Sequence, residues 1–183
     1  MRFPRLSDYI NPYVGSIGHL LTSTRPLCAL PHGMMQISPS FSPKIKDTYL
    51  SDKIWGFPLG PVNVMPCGRD VLSPAEAPSR FDHDLETARA YCYRVWLENT
   101  DTTVSYTVGR HSGIAQVISE NAGEHYLLLT AFGGSDICVH GRRITLKGTY
   151  QQAPAYALYE FSEDFTYEKI SGAAATKKGE AGY

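Results

Sequence analysis

The residues able to do chemistry in this chain are six histidines, two clusters of carboxylates, and two tryptophans set among twelve tyrosines. Imidazole moves protons near neutral pH and ligates metals. His19 and His32 fall in an irregular N-terminal stretch, His83 lies within "FDHDLE", and His111, His125 and His140 stand at the ends of strand-like segments. No two of them have the i, i+2 or i, i+4 spacing of a local metal site, so solvent-facing or hydrogen-bonded structural roles are expected. Asp82, Asp84 and Glu86 make one acidic cluster; Glu160, Glu163 and Asp164 make another. A glycosidase needs two carboxyl groups about 5 to 9.5 Å apart across a sugar. The sequence does not place such a pair, and acidic clusters of this kind read as solvated strand ends.

Aromatic rings stack on the apolar faces of sugars. Trp96 falls mid-strand and is expected in the core. Trp55, in "SDKIWGFPLGP", is followed by Gly and Pro and is the better candidate for a ligand contact near a surface. Arg25, in "TSTRPL", carries a fork of donors suited to sugar hydroxyls or to an ion pair. Cys28, Cys67, Cys92 and Cys138 have no C-x-x-C or Cys/His spacing for zinc, and are expected to be small buried residues. Neither Gly-x-Ser-x-Gly nor a phosphate loop occurs; "GSIGH" lacks the lysine and the spacing.

The elements that must hold these residues are strands. In "YCYRVWL", Tyr91, Tyr93, Val95 and Leu97 share one face, and "NTD" at 99–101 supplies turn residues. "TTVSYTVG", "GIAQVIS", "HYLLLTAF", "ICVH", "ITLKGTY" and "AYALYEF" follow at intervals of 8 to 12 residues, each bounded by Gly, Asn or Asp. That spacing predicts an all-β, antiparallel sandwich or barrel from about Tyr91 onward. "DLETARAY" is at most a short surface helix. The stretch 11–40 has no helical period and is expected as a long, irregular, Pro/Gly-rich arm. "ISGAAATKKGEAGY" reads as a linker or frayed tail.

Composition bounds the rest. Hydrophobic residues at 43% and charged residues at 19% describe an ordinary globular domain. A formal net charge of −1 gives no field to gather phosphates, which argues against nucleic acid as a partner. No apolar run approaches the roughly 20 residues that span a bilayer. The first residues lack the apolar core of a secretory signal, so the expectation is either cytoplasmic residence or a signal already removed.

"DYINPYVGSIGHLL" followed by "LPHGMMQISPS" resembles the opening of glycoside hydrolase family 92, the calcium-dependent α-mannosidases. The features that carry the resemblance are Tyr9, Asn11, Pro12, Tyr13, Gly15, His19, Pro31, Met34, Ser38 and Pro39. "SDKIWGFPL" resembles the family's glycine–aromatic landmark, residues 79–118 its first long hairpins, and "YALYEFSEDF" a strand near the end of its sandwich. "GFPLGPVNV" departs from the histidine-rich loop usual there.

The resemblance implies a galactose-mutarotase-like β-sandwich, the supersandwich type, over residues 1–170, with 171–183 as linker or tail and the last strands of the sandwich missing. It implies a non-catalytic domain, or a fragment, of an enzyme that hydrolyses α-mannosidic bonds with inversion. The catalytic carboxylates and most of the Ca2+ site would belong to a helical barrel absent from this chain, so no catalytic residue and no metal ligand is expected here. His19, Arg25 and Trp55 would line one wall of a cleft for a mannose-containing glycan. Family members are usually periplasmic, cell-surface or secreted. A stand-alone carbohydrate-binding module, or an interaction module that self-associates through an open sheet edge, is the alternative.

Overall fold

The computed structural model describes residues 5–18, 22–42, 44–45, 47–71, 73–132, 135–150, 152–170 and 174–180. Among them are short 3-10 turns and sixteen strands. In chain order these are β1 (Cys28–Ala29), β2 (Gln36–Ile37), β3 (Ser40–Phe41), β4 (Lys53–Leu59), β5 (Val62–Cys67), β6 (Ser79–Arg80), β7 (Thr87–Arg89) and β8 (Cys92–Leu97). Then come β9 (Thr102–Val108), β10 (Gly113–Ser119), β11 (Glu124–Ala131), β12 (Asp136–His140), β13 (Arg143–Tyr150), β14 (Ala153–Glu160), β15 (Phe165–Ile170) and β16 (Ala174–Glu180). The chain is all-β, and no helix among the described residues is long and apolar enough to cross a membrane.

Two compact units share these strands. The first takes residues 1–55 and 79–118. Its four-stranded sheet runs β10-β9-β8-β7, with Val95 opposite Val104 and Tyr93 opposite Tyr106. Alternation decides the burial: Tyr93, Val95 and Leu97 are buried, whereas Arg94 points to solvent. Val104, Tyr106 and Val108 bury the matching face of β9. Asp101 turns the chain between the two strands at φ 50°, a left-handed conformation that Asp tolerates. The irregular arm contributes the small β1–β2 ladder, Cys28 opposite Ile37.

The second unit takes residues 56–78 and 119–183. Its larger sheet runs β15-β16-β11-β5-β4, and β12-β13-β14 form a second antiparallel sheet. The core between them gathers Val62, Leu129, Ile144 and Leu146, with Ile137, Val139, Ala157 and Tyr159 packed around. The strict alternation of β13, Ile144 and Leu146 in and Arg143 and Thr145 out, is what makes that sheet one-sided. Tyr159 reaches across to donate its hydroxyl to the Leu59 carbonyl at 2.6 Å.

Gly56 explains why a glycine precedes the aromatic in "WGF". Its φ of 144° disfavours a side chain, and a Cβ there would lie 2.2 Å from the Asn63 amide nitrogen on the facing strand.

Several expectations from sequence change. Regular structure begins well before Tyr91, with the β4–β5 hairpin turning at Gly60, φ 68°. The β4–β5 strands mix Pro, Gly and apolar residues on both faces, which hides their period. "DLETARAY" is a 3-10 turn at His83–Leu85 running straight into β7. Trp96 lies on the outer face of β8, half-buried, its indole N–H donating to Asp101 Oδ1 at 2.9 Å. Of the four cysteines, all free, only Cys28 and Cys67 are buried; Cys92 is half-buried and Cys138 exposed. The stretch expected as a linker or tail, 171–183, contains β16, which lies between β11 and β15 with Leu128 opposite Thr176. Strand pairing uses main-chain groups, so a segment without apolar period can still fill a ladder.

Candidate functional site

The polar centre of the first unit is the Glu86 carboxylate. Its side chain is only 1% exposed. One oxygen accepts from the Tyr93 hydroxyl on β8, and the other meets Nδ1 of His83. The 3-10 turn makes the second contact, because at three residues per turn positions i and i+3 lie one above the other. Asp82 starts that turn, its Oδ1 accepting from the Asp84 amide at 2.9 Å.

Aromatic rings wall the pair. Tyr49 stacks on the His83 ring at 4.4 Å, and Phe81 meets the same ring edge-on at 4.7 Å. Tyr13 stands edge-on to Tyr49 at 5.7 Å and to His83 at 6.2 Å. Beneath them Tyr93 stacks on Tyr106 at 5.2 Å.

Burial and charge act oppositely on the two kinds of group. Burial alone would lower the His83 pKa, but the Glu86 hydrogen bond and charge, the Tyr49 backbone and Asp82 more than offset it, so the imidazole is raised above its ordinary value. For Tyr13, burial and then the Glu86 carboxylate push the phenol well above the tyrosine range. Tyr93 and Tyr106 move the same way, chiefly by burial. Burial and the Glu86 carboxylate thus both favour the neutral phenols, whereas for His83 the carboxylate opposes burial and prevails. Glu86 is thus enclosed and hydrogen-bonded, out of reach of a glycosidic oxygen.

This cluster fixes the arm. Tyr13 is presented by a turn in which the Asn11 side chain accepts from the Tyr13 amide at 2.9 Å. The Thr24 amide bonds the Gly15 carbonyl at 2.8 Å, the Thr48 hydroxyl bonds the Thr24 carbonyl at 2.5 Å, and the Gly18 amide bonds Asp47 Oδ1 at 2.9 Å. Arg89 on β7 donates to the Asp8 carbonyl at 3.2 Å. The irregular path of the arm is therefore held at many points. Its outward side is apolar: Leu6, Tyr9, Ile10 and Val14 on the arm, with Leu50 and Leu85 from neighbouring turns, are all exposed.

Of the residues expected to line a sugar wall, His19 lies outside the described residues. Arg25 is exposed, outside any strand or turn, and makes no hydrogen bond, ion pair or ring contact among the described residues, so no such contact joins it to Trp55. Trp55 is half-buried within β4. What sequence reasoning missed was Glu86 as a buried carboxylate. The signal was the i, i+3 step from His83 to Glu86, which matters only on a 3-10 turn. No group of three or more His, Cys, Asp or Glu side chains able to hold a metal occurs among the described residues. Calcium takes six to eight oxygens, and the Glu86 carboxylate, already engaged by Tyr93 and His83, does not suit it.

Residues 9–181 match the model of the glycosyl hydrolase family 92 N-terminal domain. The chain belongs to glycoside hydrolase family 92. It is similar in fold to a family GH92 inverting mannosidase from Bacteroides thetaiotaomicron, with TM-score 0.76 and 20% identity over 97% of this chain and 32% of that one. A family GH92 α-mannosidase from the same organism gives TM-score 0.70 and 18% identity, covering 98% of this chain and 34% of that one. A third, the GH92-family glycosyl hydrolase ccman5, gives TM-score 0.72 and 15% identity over 94% of this chain and 30% of that one. The family 92 chain thus spans about a third of the length of these relatives. No curated protein matches it.

Proposed function

We propose that this family 92 domain is a non-catalytic partner of an α-mannosidase: it forms one wall of the glycan cleft and a seat for the catalytic part. The observation that carries the reading is the pinned arm. A segment tied down by Tyr13 at the Glu86 centre, yet exposing Leu6, Tyr9, Ile10 and Val14, is built to meet a neighbouring surface. The single deeply buried carboxylate described in this unit, Glu86, is committed to Tyr93 and His83, which leaves the acid and base of an inverting hydrolysis to groups outside it. Calcium would be held outside the domain for the same reason. His19, Arg25 and Trp55 remain the wall residues on this reading, with the exposed Arg25 free to donate to sugar hydroxyls.

Titrating the chain with mannose-containing oligosaccharides by isothermal calorimetry, a readout that survives loss of either side chain, tests the wall. Weak binding lost in Arg25→Ala and Trp55→Ala is the expected result, and binding untouched by both substitutions overturns it. An assembly role is the second reading, favoured by β10, which stands at the edge of its sheet with apolar side chains in solvent.

A further inference from the structure

We infer that β10 is a self-pairing edge, which joins two copies of this chain through an antiparallel ladder centred on Gln116; this rests on the assembly reading above and names its partner. β10 ends the order β10-β9-β8-β7, so one row of its main-chain donors and acceptors faces away from β9. Residues Gly113 to Ile118 are all exposed, Ile114 at 73%, Val117 at 40% and Ile118 at 43%. Soluble proteins blunt such edges with charge, proline or a bulge. "GIAQVIS" has neither charge nor proline, and it is rich in the β-branched residues that favour strands.

The sequence also says which strand fits. In an antiparallel pair centred on Gln116, Ile114 lies opposite Ile118 of the second copy and Ala115 opposite Val117, so apolar residues meet on both faces. The flanks complement each other: Arg110 and His111 precede the strand, Glu120 follows it, and all three are exposed. Antiparallel pairing brings the basic end of each copy to the acidic end of the other, twice by symmetry. A parallel pair would set like beside like. The two-fold arrangement closes on itself and uses up both edges.

The test places a cysteine at the symmetry centre, in the Cys138→Ser background to remove the exposed native thiol. Gln116→Cys should then cross-link to itself on mild oxidation. Ile114→Cys should not, since its copies lie about 14 Å apart at four residues' rise, beyond the roughly 7 Å reach of a disulfide. Light scattering should give about twice the 20.3 kDa chain mass, and Ile118→Lys should halve it. A monomer across the micromolar to near-millimolar range, or cross-linking at Ile114 and not at Gln116, overturns the inference. Hydrogen exchange separates the two levels. A monomer whose outward β10 amides exchange rapidly keeps the open edge and loses only the second copy. A monomer with every β10 amide protected overturns the edge reading as well.

Discussion

Tyr93 donates its hydroxyl to the buried Glu86 carboxylate from β8, while His83 holds the other oxygen from the turn before β7. Strand and turn are thereby joined at one anion, and the arm packs the Tyr13 ring edge-on to His83 beside it. Removing one partner leaves the others buried without a match, which costs more than the bond itself is worth. Tyr93→Phe is expected to destabilise the chain by about 1–2 kcal/mol, and Glu86→Ala by about 2–4 kcal/mol because Tyr93 and His83 both lose their partner. Urea unfolding measures both. Equal and negligible changes would mean that the arm is held by its other contacts alone.

The His83–Glu86 pair makes stability depend on pH with a definite sign. The folded imidazole lies above its ordinary value of 6.5, with Glu86, Asp82 and the Tyr49 backbone outweighing burial. A raised folded value means the native state binds the extra proton, so this stabilisation is fully present below 6.5 and fades as pH rises through the folded value. Melting temperature should fall over that window, and His83→Gln should flatten the fall. A wild-type profile that rises there would contradict the assignment.

Gly56 carries a separate prediction. Alanine meets both an unfavourable φ of 144° and the Asn63 amide. Gly56→Ala is expected to cost about 1–3 kcal/mol, the usual scale for a strained backbone position. Adding Asn63→Ala should recover the steric part and leave the backbone part. Complete recovery would show that the conformation itself is not strained.

Thiol reactivity should rank the cysteines by their surroundings. Cys138 is exposed and should label first. Burial pushes the Cys28 and Cys67 thiols up to about 11, so both should react only on unfolding. Rapid labelling of Cys28 in the native chain would mean that the β1–β2 ladder opens easily.

Much of the fold was legible because alternation announces a strand with one buried face. β8, β9, β13 and β14 show it residue by residue, and Asp101 and Gly141 mark turns by the backbone angles they tolerate. β4 and β5 escaped because Gly56, Pro58 and Pro66 interrupt their pattern, and β16 because its ladder depends on the edges of β11 and β15, which no local signal reports. The candidate site was legible only in its parts. Tyr13 and His83 stood out singly, but the carboxylate joining them is separated from Tyr13 by more than seventy positions. A buried Glu and a solvated one look alike in sequence. The exposed Arg25 and half-buried Trp55 carry the sugar-wall reading without a geometry that joins them.

The most direct test of a non-catalytic role is an α-mannosidase assay of the purified 183-residue chain, with and without added calcium. Folded chain that releases no mannose above the buffer rate is the expected result. Release that scales with protein concentration and vanishes in a carboxylate variant of this chain would contradict it.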